Sequence, residues 1–265
     1  MHSVESDGSA TPAELVEMAL GLNLAAIALT DHDTTAGVSK AREAAQGTGL
    51  EVVAGVELSA TEGKSDVHLL LYDCDRELDK LEAELQRFRL ARVRRAEAMV
   101  ARLQELGLTI TMDDVRTFSG SGTMGRPHIA NALVLRGHVD HPQEAFRRYI
   151  GHGGTAWVAK DAWTLADALA LAHRFGGRMV LAHPATLRRD DLIPVLKELG
   201  LTGIEVWHPR HDPSSVKHYS ALALKHDLVA TGGSDFHGSR NPGVEMGSSH
   251  VPIEALARLR AASIR

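Results

Sequence analysis

Histidines, aspartates and glutamates recur in this chain directly after short apolar runs. Leu29 leads into Thr30-Asp31-His32-Asp33-Thr34, Val56 into Glu57 and Val67 into His68. Ala182 is followed by His183-Pro184, Ile204 by Glu205 and then His208, and Thr231 by Gly232-Gly233-Ser234-Asp235-Phe236-His237. Imidazole and carboxylate donors together suit Zn, Mn or Fe. A set this large could serve more than one ion, because carboxylates bridge cations and offset their charge. Clustered cations activate water and clamp both oxygens of a phosphoryl displacement. A hydrogen-bonded cap is as good a reading for any one of these histidines. It does not account for six places of one chemistry. With 15 histidines and the single cysteine Cys74, nitrogen and oxygen sites are favoured over thiolate sites.

The elements that must position these residues alternate. Thr11-Pro12-Ala13-Glu14 is a capping box with proline at the first helical position. Strands are expected at 24–29, 51–58 and 67–72, with a helix after Thr35 ending near Gly47–Gly49. Residues 77–106 read as one long charged helix stopped at Gly107. Its Arg87, Arg89, Arg92, Arg94 and Arg95 form a solvated face, with phosphate contact by one or two as the second reading. Short helices follow at 129–135 and 143–150. Helices at 164–175, 192–199, 215–226 and 253–262 then alternate with strands at 179–182, 203–207 and 228–231. Repeated βα units imply a parallel sheet, open or closed, whose chemistry lies beyond the C-terminal strand ends. The division expected is a barrel domain of residues 1–76 and 155–265, interrupted by a helical insertion at 77–154.

The 265 residues suit one such barrel with an insertion. A net charge of −5 and only 4% aromatic residues argue against duplex DNA and long single strands, not against small phosphorylated ligands. No stretch approaches the roughly 18 apolar residues of a membrane span. Residues 1–8 have neither a basic nor an apolar signal region, and one cysteine suits a reducing compartment, so a cytoplasmic location is expected. Gly232-Gly233-Ser234 is not a phosphate-loop pattern, and its glycines are read as backbone room beside Asp235. Ser6-Asp7-Gly8 also reads as a turn. His138, His141, His152, His173, His218, His226 and His250 are given surface or capping roles, with His128, His208 and His211 intermediate.

Taken together the motifs resemble the PHP family, named for polymerase and histidinol phosphatase domains. The matching stretches are Met1-His2-Ser3 with Ser6-Asp7-Gly8, Thr30 to Thr34, Gly55-Val56-Glu57, His68, Ala182-His183-Pro184 and Gly233 to Gly238. Within the family the chain looks most like phosphatases of nucleoside 3′,5′-bisphosphates, whose relatives trim short RNA from the 5′ end. Gly125-Arg126-Pro127-His128, Trp157 to Lys160 and Ile204 to His208 resemble that subgroup. The resemblance implies a distorted (β/α)7 barrel with a helical cap and a site for three divalent metals, Mn foremost, with Fe or Zn as alternatives. The implied ligands are His2, Asp7, His32, Glu57, His68, His183, Asp235 and His237, with Glu57 bridging. Arg126, His128, Lys160 and His208 are implied to hold phosphate groups, and His208, His237 or a metal-bound water to act as the acid. The implied reaction is attack of metal-bound hydroxide on the 3′-phosphate of a small nucleotide. Action on short oligoribonucleotides or on histidinol phosphate is the alternative. A further alternative is a non-catalytic nucleotide-binding protein with a decayed metal site. The family opens with a strand bearing His-x-His. Here Met1 stands at its middle position and His2 at the second histidine, so the first histidine and the strand before it are absent. A start placed at an internal methionine is favoured over a truly short chain. Without that strand, weaker metal binding, lower stability or an exposed sheet edge is expected.

Overall fold

The computed structural model describes residues 1–63, 65–119, 124–159 and 163–263. In chain order the elements are α1 (Pro12–Gly21), β1 (Ala26–Leu29), α2 (Val38–Ala44), β2 (Glu51–Glu62), β3 (Ser65–Tyr72), α3 (Leu78–Glu105), α4 (Met112–Ser119), α5 (Arg126–Leu135) and α6 (Pro142–Ala145). A π-helical turn (Phe146–Ile150) follows. Then come β4 (Trp163–Thr164), α7 (Leu165–Phe175), β5 (Arg178–Leu181), α8 (Pro184–Leu187), α9 (Leu192–Glu198), β6 (Gly203–Trp207), α10 (Pro213–Lys225), β7 (Val229–Gly232) and α11 (Glu254–Ala261). Thr11 caps α1 through the reciprocal bonds its sequence announces, with its hydroxyl accepting from the Glu14 amide.

The chain divides into two compact units, Met1–Ala83 with Ala162–Arg265, and Glu84–Asp161. The first holds the seven-stranded, distorted α/β barrel sheet, ordered β1-β2-β3-β5-β6-β7 with β4 beside β2. Pairing is parallel for β1–β2, β2–β4, β5–β6 and β6–β7. It departs from the all-parallel expectation at β3, which is antiparallel to both β2 and β5. Only residues 63–64 separate β2 from β3. That is far short of the dozen or so a parallel crossover needs.

Among the described residues β1 and β7 each pair on one side only. The N-terminal segment spans from one to the other. The Thr30 amide donates to the Met1 carbonyl (3.0 Å), and the His2 amide donates to the carbonyl of Phe236 beyond β7 (2.9 Å). A cavity of about 230 Å³, walled by Ala26 and Ala28 of β1, Thr231 of β7 and Leu259 of α11, lies in this unit.

Beneath α1, β1 and α2 the core is Leu15, Val16, Ile27, Leu29, Ala41 and Val52. The second unit has its own core of Met99, Leu103, Ile110, Val115, Ile129, Leu133 and Ile150. Its α4 was not among the expected helices. Thr111 caps it by exchanging bonds with Asp114. Among the described residues no helix is long and apolar enough to cross a membrane.

Candidate metal centre

His32, His183, His208, Asp235 and His237 all lie beyond the C-terminal ends of parallel strands, β1, β5, β6 and β7. Apart from an isolated bridge of His32 with Glu57, loops there lie outside the strand ladders, so their side chains can converge. Glu57 and His68 instead lie within β2 and β3. Ser59 pairs with His68, so Glu57 and His68 share one face on a diagonal. His2 and Asp7 come from the N-terminal loop. Its turn closes through the Gly8 amide on the Ser3 carbonyl, and a Cβ on Gly8 would stand 2.2 Å from the His2 oxygen. Only glycine fits that approach. His183 (φ 30°) and Asp235 (φ 50°) occupy the left-handed region, a backbone cost that concentrates at functional sites.

Glu57 is the hub. Its Oε1 lies 2.6 Å from His68 Nδ1 and 3.3 Å from His183 Nε2, and its Oε2 lies 3.0 Å from His2 Nε2. His2 Nε2 is also 3.3 Å from Asp235 Oδ1. His237 Nε2 is 3.3 Å from Asp7 Oδ1, and His32 Nε2 is 3.7 Å from Asp7 Oδ2. Three overlapping groups could each hold an ion: His2, Asp7, His32 and His237; His32, Glu57 and His68; and His2, Glu57 and Asp235. All eight ligands implied by the resemblance are thus gathered in one place, with His183 joined through Glu57.

Hydrogen bonding outside this cluster tests whether a cation fits. The Thr186 hydroxyl donates to the His183 carbonyl, so His183 Nδ1, 2.9 Å away, must donate to Thr186 Oγ1. That leaves the Nε2 lone pair of neutral His183 facing the Glu57 carboxylate. His237 likewise bonds the Asp235 carbonyl through Nδ1 (2.8 Å), which turns its Nε2 lone pair toward Asp7. Lone pair against carboxylate repels, and only a proton or a metal ion between them relieves it. Fixing a ligand histidine through its other nitrogen is how metal sites set the tautomer.

The electrostatics agree. Burial would lower the His2 imidazole, but hydrogen bonds with Asp235 and Glu57 take it from 6.5 up to about 10. Burial takes His32 down to about 4 against the pull of Glu57 and Asp7, whose oxygens stand 3.7–3.9 Å away. Glu57 is buried and Asp7 and Asp235 are half-buried, which would raise them, yet the surrounding imidazoles hold all three well below the usual carboxylate range. Three carboxylates gathered in one cluster, with Glu57 buried among them, call for cations.

The other expected site residues are placed as follows. His208 is buried. Its Nδ1 accepts from the Arg210 amide (3.1 Å), so the proton of the neutral ring sits on Nε2, 3.6 Å from Asp235 Oδ2. Arg126 and His128 open α5 in the second unit. The Arg126 guanidinium lies 5.6 Å from the Phe146 ring centroid, and His128 Nδ1 accepts from the Gly125 amide. Lys160 lies outside the described residues. Gly232 needs correction. A Cβ there would meet the Trp207 carbonyl at 2.3 Å, so β6, not Asp235, is what crowds it.

Roles were missed for Asp31, Glu205 and Thr186. Glu205 is buried, its carboxyl pushed up by burial, and its Oε2 accepts from the His183 amide (2.7 Å). Its position after an apolar run was the available signal. Thr186 gave none, because its role depends on the bend at His183. Of the remaining histidines, His141 caps α6 and His218 pairs with Asp190 at 2.6 Å.

Residues 1–83 match the PHP domain family. The chain is 33% identical over 252 residues to the 3′,5′-nucleoside bisphosphate phosphatase of Chromobacterium violaceum, covering 93% of this chain and 88% of that protein. It is 30% identical to the 5′-3′ exoribonuclease Rnm of Escherichia coli (93% and 86% covered). It is 34% identical to a phosphoribosyl 1,2-cyclic phosphate 1,2-diphosphodiesterase of Eggerthella lenta (90% and 92%). A solved structure from Bifidobacterium adolescentis, assigned as a metal-dependent phosphoesterase, superposes with a TM-score of 0.85 at 34% identity, covering 98% of this chain and 93% of that one.

Proposed function

The chain belongs to the PHP family of metal-dependent phosphoesterases, and from that premise we propose that it hydrolyses the 3′-phosphate of nucleoside 3′,5′-bisphosphates, giving the 5′-monophosphate and phosphate. The observation that carries the phosphoesterase chemistry is buried Glu57 meeting His2, His68 and His183 within 3.3 Å. The choice of substrate is supported by the likeness to the Chromobacterium violaceum enzyme over 93% of this chain.

Three divalent ions, Mn²⁺ foremost, would be held by His2, Asp7, His32, Glu57, His68, His183, Asp235 and His237. Bound there, such ions supply an activated water and offset the charge of the phosphoryl group. The protein contributes orientation and protons. Thr186 and the Asp235 carbonyl keep the Nε2 lone pairs of His183 and His237 directed inward. Glu205 holds the backbone of His183. His208 presents an Nε2–H to a phosphoryl or leaving oxygen, which it can stabilise without itself ionising. The family resemblance assigns Arg126, His128 and Lys160 to a second phosphate, a role that suits Arg126 because a guanidinium meets phosphate through two parallel donors. A cytoplasmic location accords with the one, buried thiol at Cys74.

The test is phosphate release with added Mn²⁺ from adenosine 3′,5′-bisphosphate, a 5′-phosphorylated tetraribonucleotide, a cyclic phosphodiester and histidinol phosphate. The bisphosphate is expected to have the highest kcat/KM, and Arg126→Ala to raise its KM more than that of a simple phosphate ester. Nucleotide release from RNA with none of the bisphosphate cleaved would favour exoribonuclease action, which the Escherichia coli likeness supports. Mn²⁺ binding without turnover of any substrate would favour a nucleotide-binding protein.

A further inference from the structure

Asp31 is as buried as any ligand in the cluster, yet it faces none of the ion groups. Both of its carboxylate oxygens are engaged elsewhere. Oδ1 accepts from the Ser3 amide (2.7 Å) and the Ser6 hydroxyl (2.6 Å), and Oδ2 accepts from the Ser3 hydroxyl (2.7 Å). Ser3 and Ser6 are themselves buried. They are the chain neighbours of His2 and Asp7. The backbone of Asp31 makes a second link, because its carbonyl accepts from the Glu57 amide (3.2 Å). The next residue is His32, which forms an isolated parallel bridge with Glu57.

We propose that Asp31 is a positioning residue that sets the N-terminal loop carrying His2 and Asp7 in register with His32 and Glu57, and so fixes the spacing of two ion groups. Residues 1–8 belong to no helix or strand, so no ladder holds them from within. Their external backbone ties are few: Met1 and His2 at one end, and the Val4 amide on the Ala10 carbonyl. Three charge-assisted bonds to one carboxylate are the strongest anchor this loop has. A shift of about 1 Å in the loop would spoil groups whose ligand atoms all lie within 4.8 Å of one another.

The proposal rests on the metal-site reading, and its test separates the two. Mn²⁺ affinity is measured on the full chain by counting free Mn²⁺ with electron paramagnetic resonance. Asp31→Ala is expected to weaken binding about 10–100-fold, as loss of an outer partner does. Asp31→Asn keeps Oδ1 for the Ser3 amide and Ser6 hydroxyl, and its new N–H can donate to Ser3 Oγ. It is expected to stay within about 3-fold of the unaltered chain, a rescue consistent with positioning. Should Asp31→Ala not fold, Ser3→Ala and Ser6→Ala each remove one donor and are expected to weaken binding by smaller steps. Unaltered Mn²⁺ affinity in a folded Asp31→Ala, or in both serine variants, would overturn the role of Asp31 alone. Failure of the unaltered chain to bind Mn²⁺ would overturn the metal-site reading beneath it.

Discussion

At the scale of residues, two imidazoles of the centre, His183 and His237, give their two nitrogens different tasks. One nitrogen is tied to the protein and the other faces a carboxylate, Glu57 for His183 and Asp7 for His237. For His183 that tie is Thr186, and for His237 it is the Asp235 carbonyl. Thr186→Ala should therefore free the His183 ring to turn or change tautomer. It leaves every ligand in place, so the expected result is Mn²⁺ affinity about 10-fold weaker, the low end for an outer partner. Isothermal titration with Mn²⁺ checks it, and an unchanged affinity would refute the tie. His208 is the complementary case. Its Nδ1 is occupied by the Arg210 amide, so it is kept as a donor rather than a ligand in the neutral state.

At the scale of elements, long β2 is what brings strand-borne ligands to a site otherwise made of loops. Pairing with β3 carries it to Glu62, which sets Glu57 and His68 on one face. The β6–β7 pair contributes differently. A bulge between Glu205 and Trp207 shifts the register, so that Trp207 pairs with Gly232. The Trp207 carbonyl then fills the space where a side chain would begin. Gly232→Ala should force β6 and β7 apart just before Asp235. Overpacking of this kind costs about 1–3 kcal/mol. A thermal midpoint lowered by several degrees, with Mn²⁺ affinity lowered as well, is the expected result. A variant with the unaltered midpoint would show that the two strands can separate there freely.

At the scale of the whole molecule, the charge gathered in the centre couples stability to pH and to metal. Without metal, His2 holds its proton up to about pH 10 when folded, against 6.5 in a free side chain. Its contribution is complete below about pH 6.5 and is lost as the pH rises toward 10. His32, lowered to about 4, acts on the other side, since its neutral form is favoured when folded and stability falls as the pH drops below 6.5. Asp7, Glu57 and Asp235, all held low, contribute above the usual carboxylate range and cease to as the pH falls below it. The metal-stripped chain should be most stable near pH 6.5 and lose thermal midpoint toward pH 9.5. Mn²⁺ competes with the His2 proton, so its binding tightens as the pH rises and the alkaline loss should vanish. Thermal unfolding in chelator and in Mn²⁺ across pH 5 to 9.5 tests this. A metal-free midpoint that climbs between pH 7 and 9 would contradict it.

The sequence by itself determined the ligand chemistry and the alternation that delivers it. Residue type is a local property, and apolar runs followed by His or Asp mark the ends of β1, β5, β6 and β7 without reference to any partner. It also determined the capping of α1 by Thr11 and the long helix α3, because caps and 3.6-residue periodicity are written within a few residues of each other. Tertiary structure decided the rest. The direction of β3 follows from how closely it succeeds β2, and the lone pairs of His183 and His237 are aimed by atoms that only folding brings near. Asp31, one position before an expected ligand, looks from the sequence like another member of the cluster. Only the packed N-terminal loop turns its carboxylate away from the His, Asp and Glu cluster and onto Ser3 and Ser6. Hydrogen-bond partners distant in sequence are chosen by three-dimensional proximity, and no spacing along the chain encodes that choice.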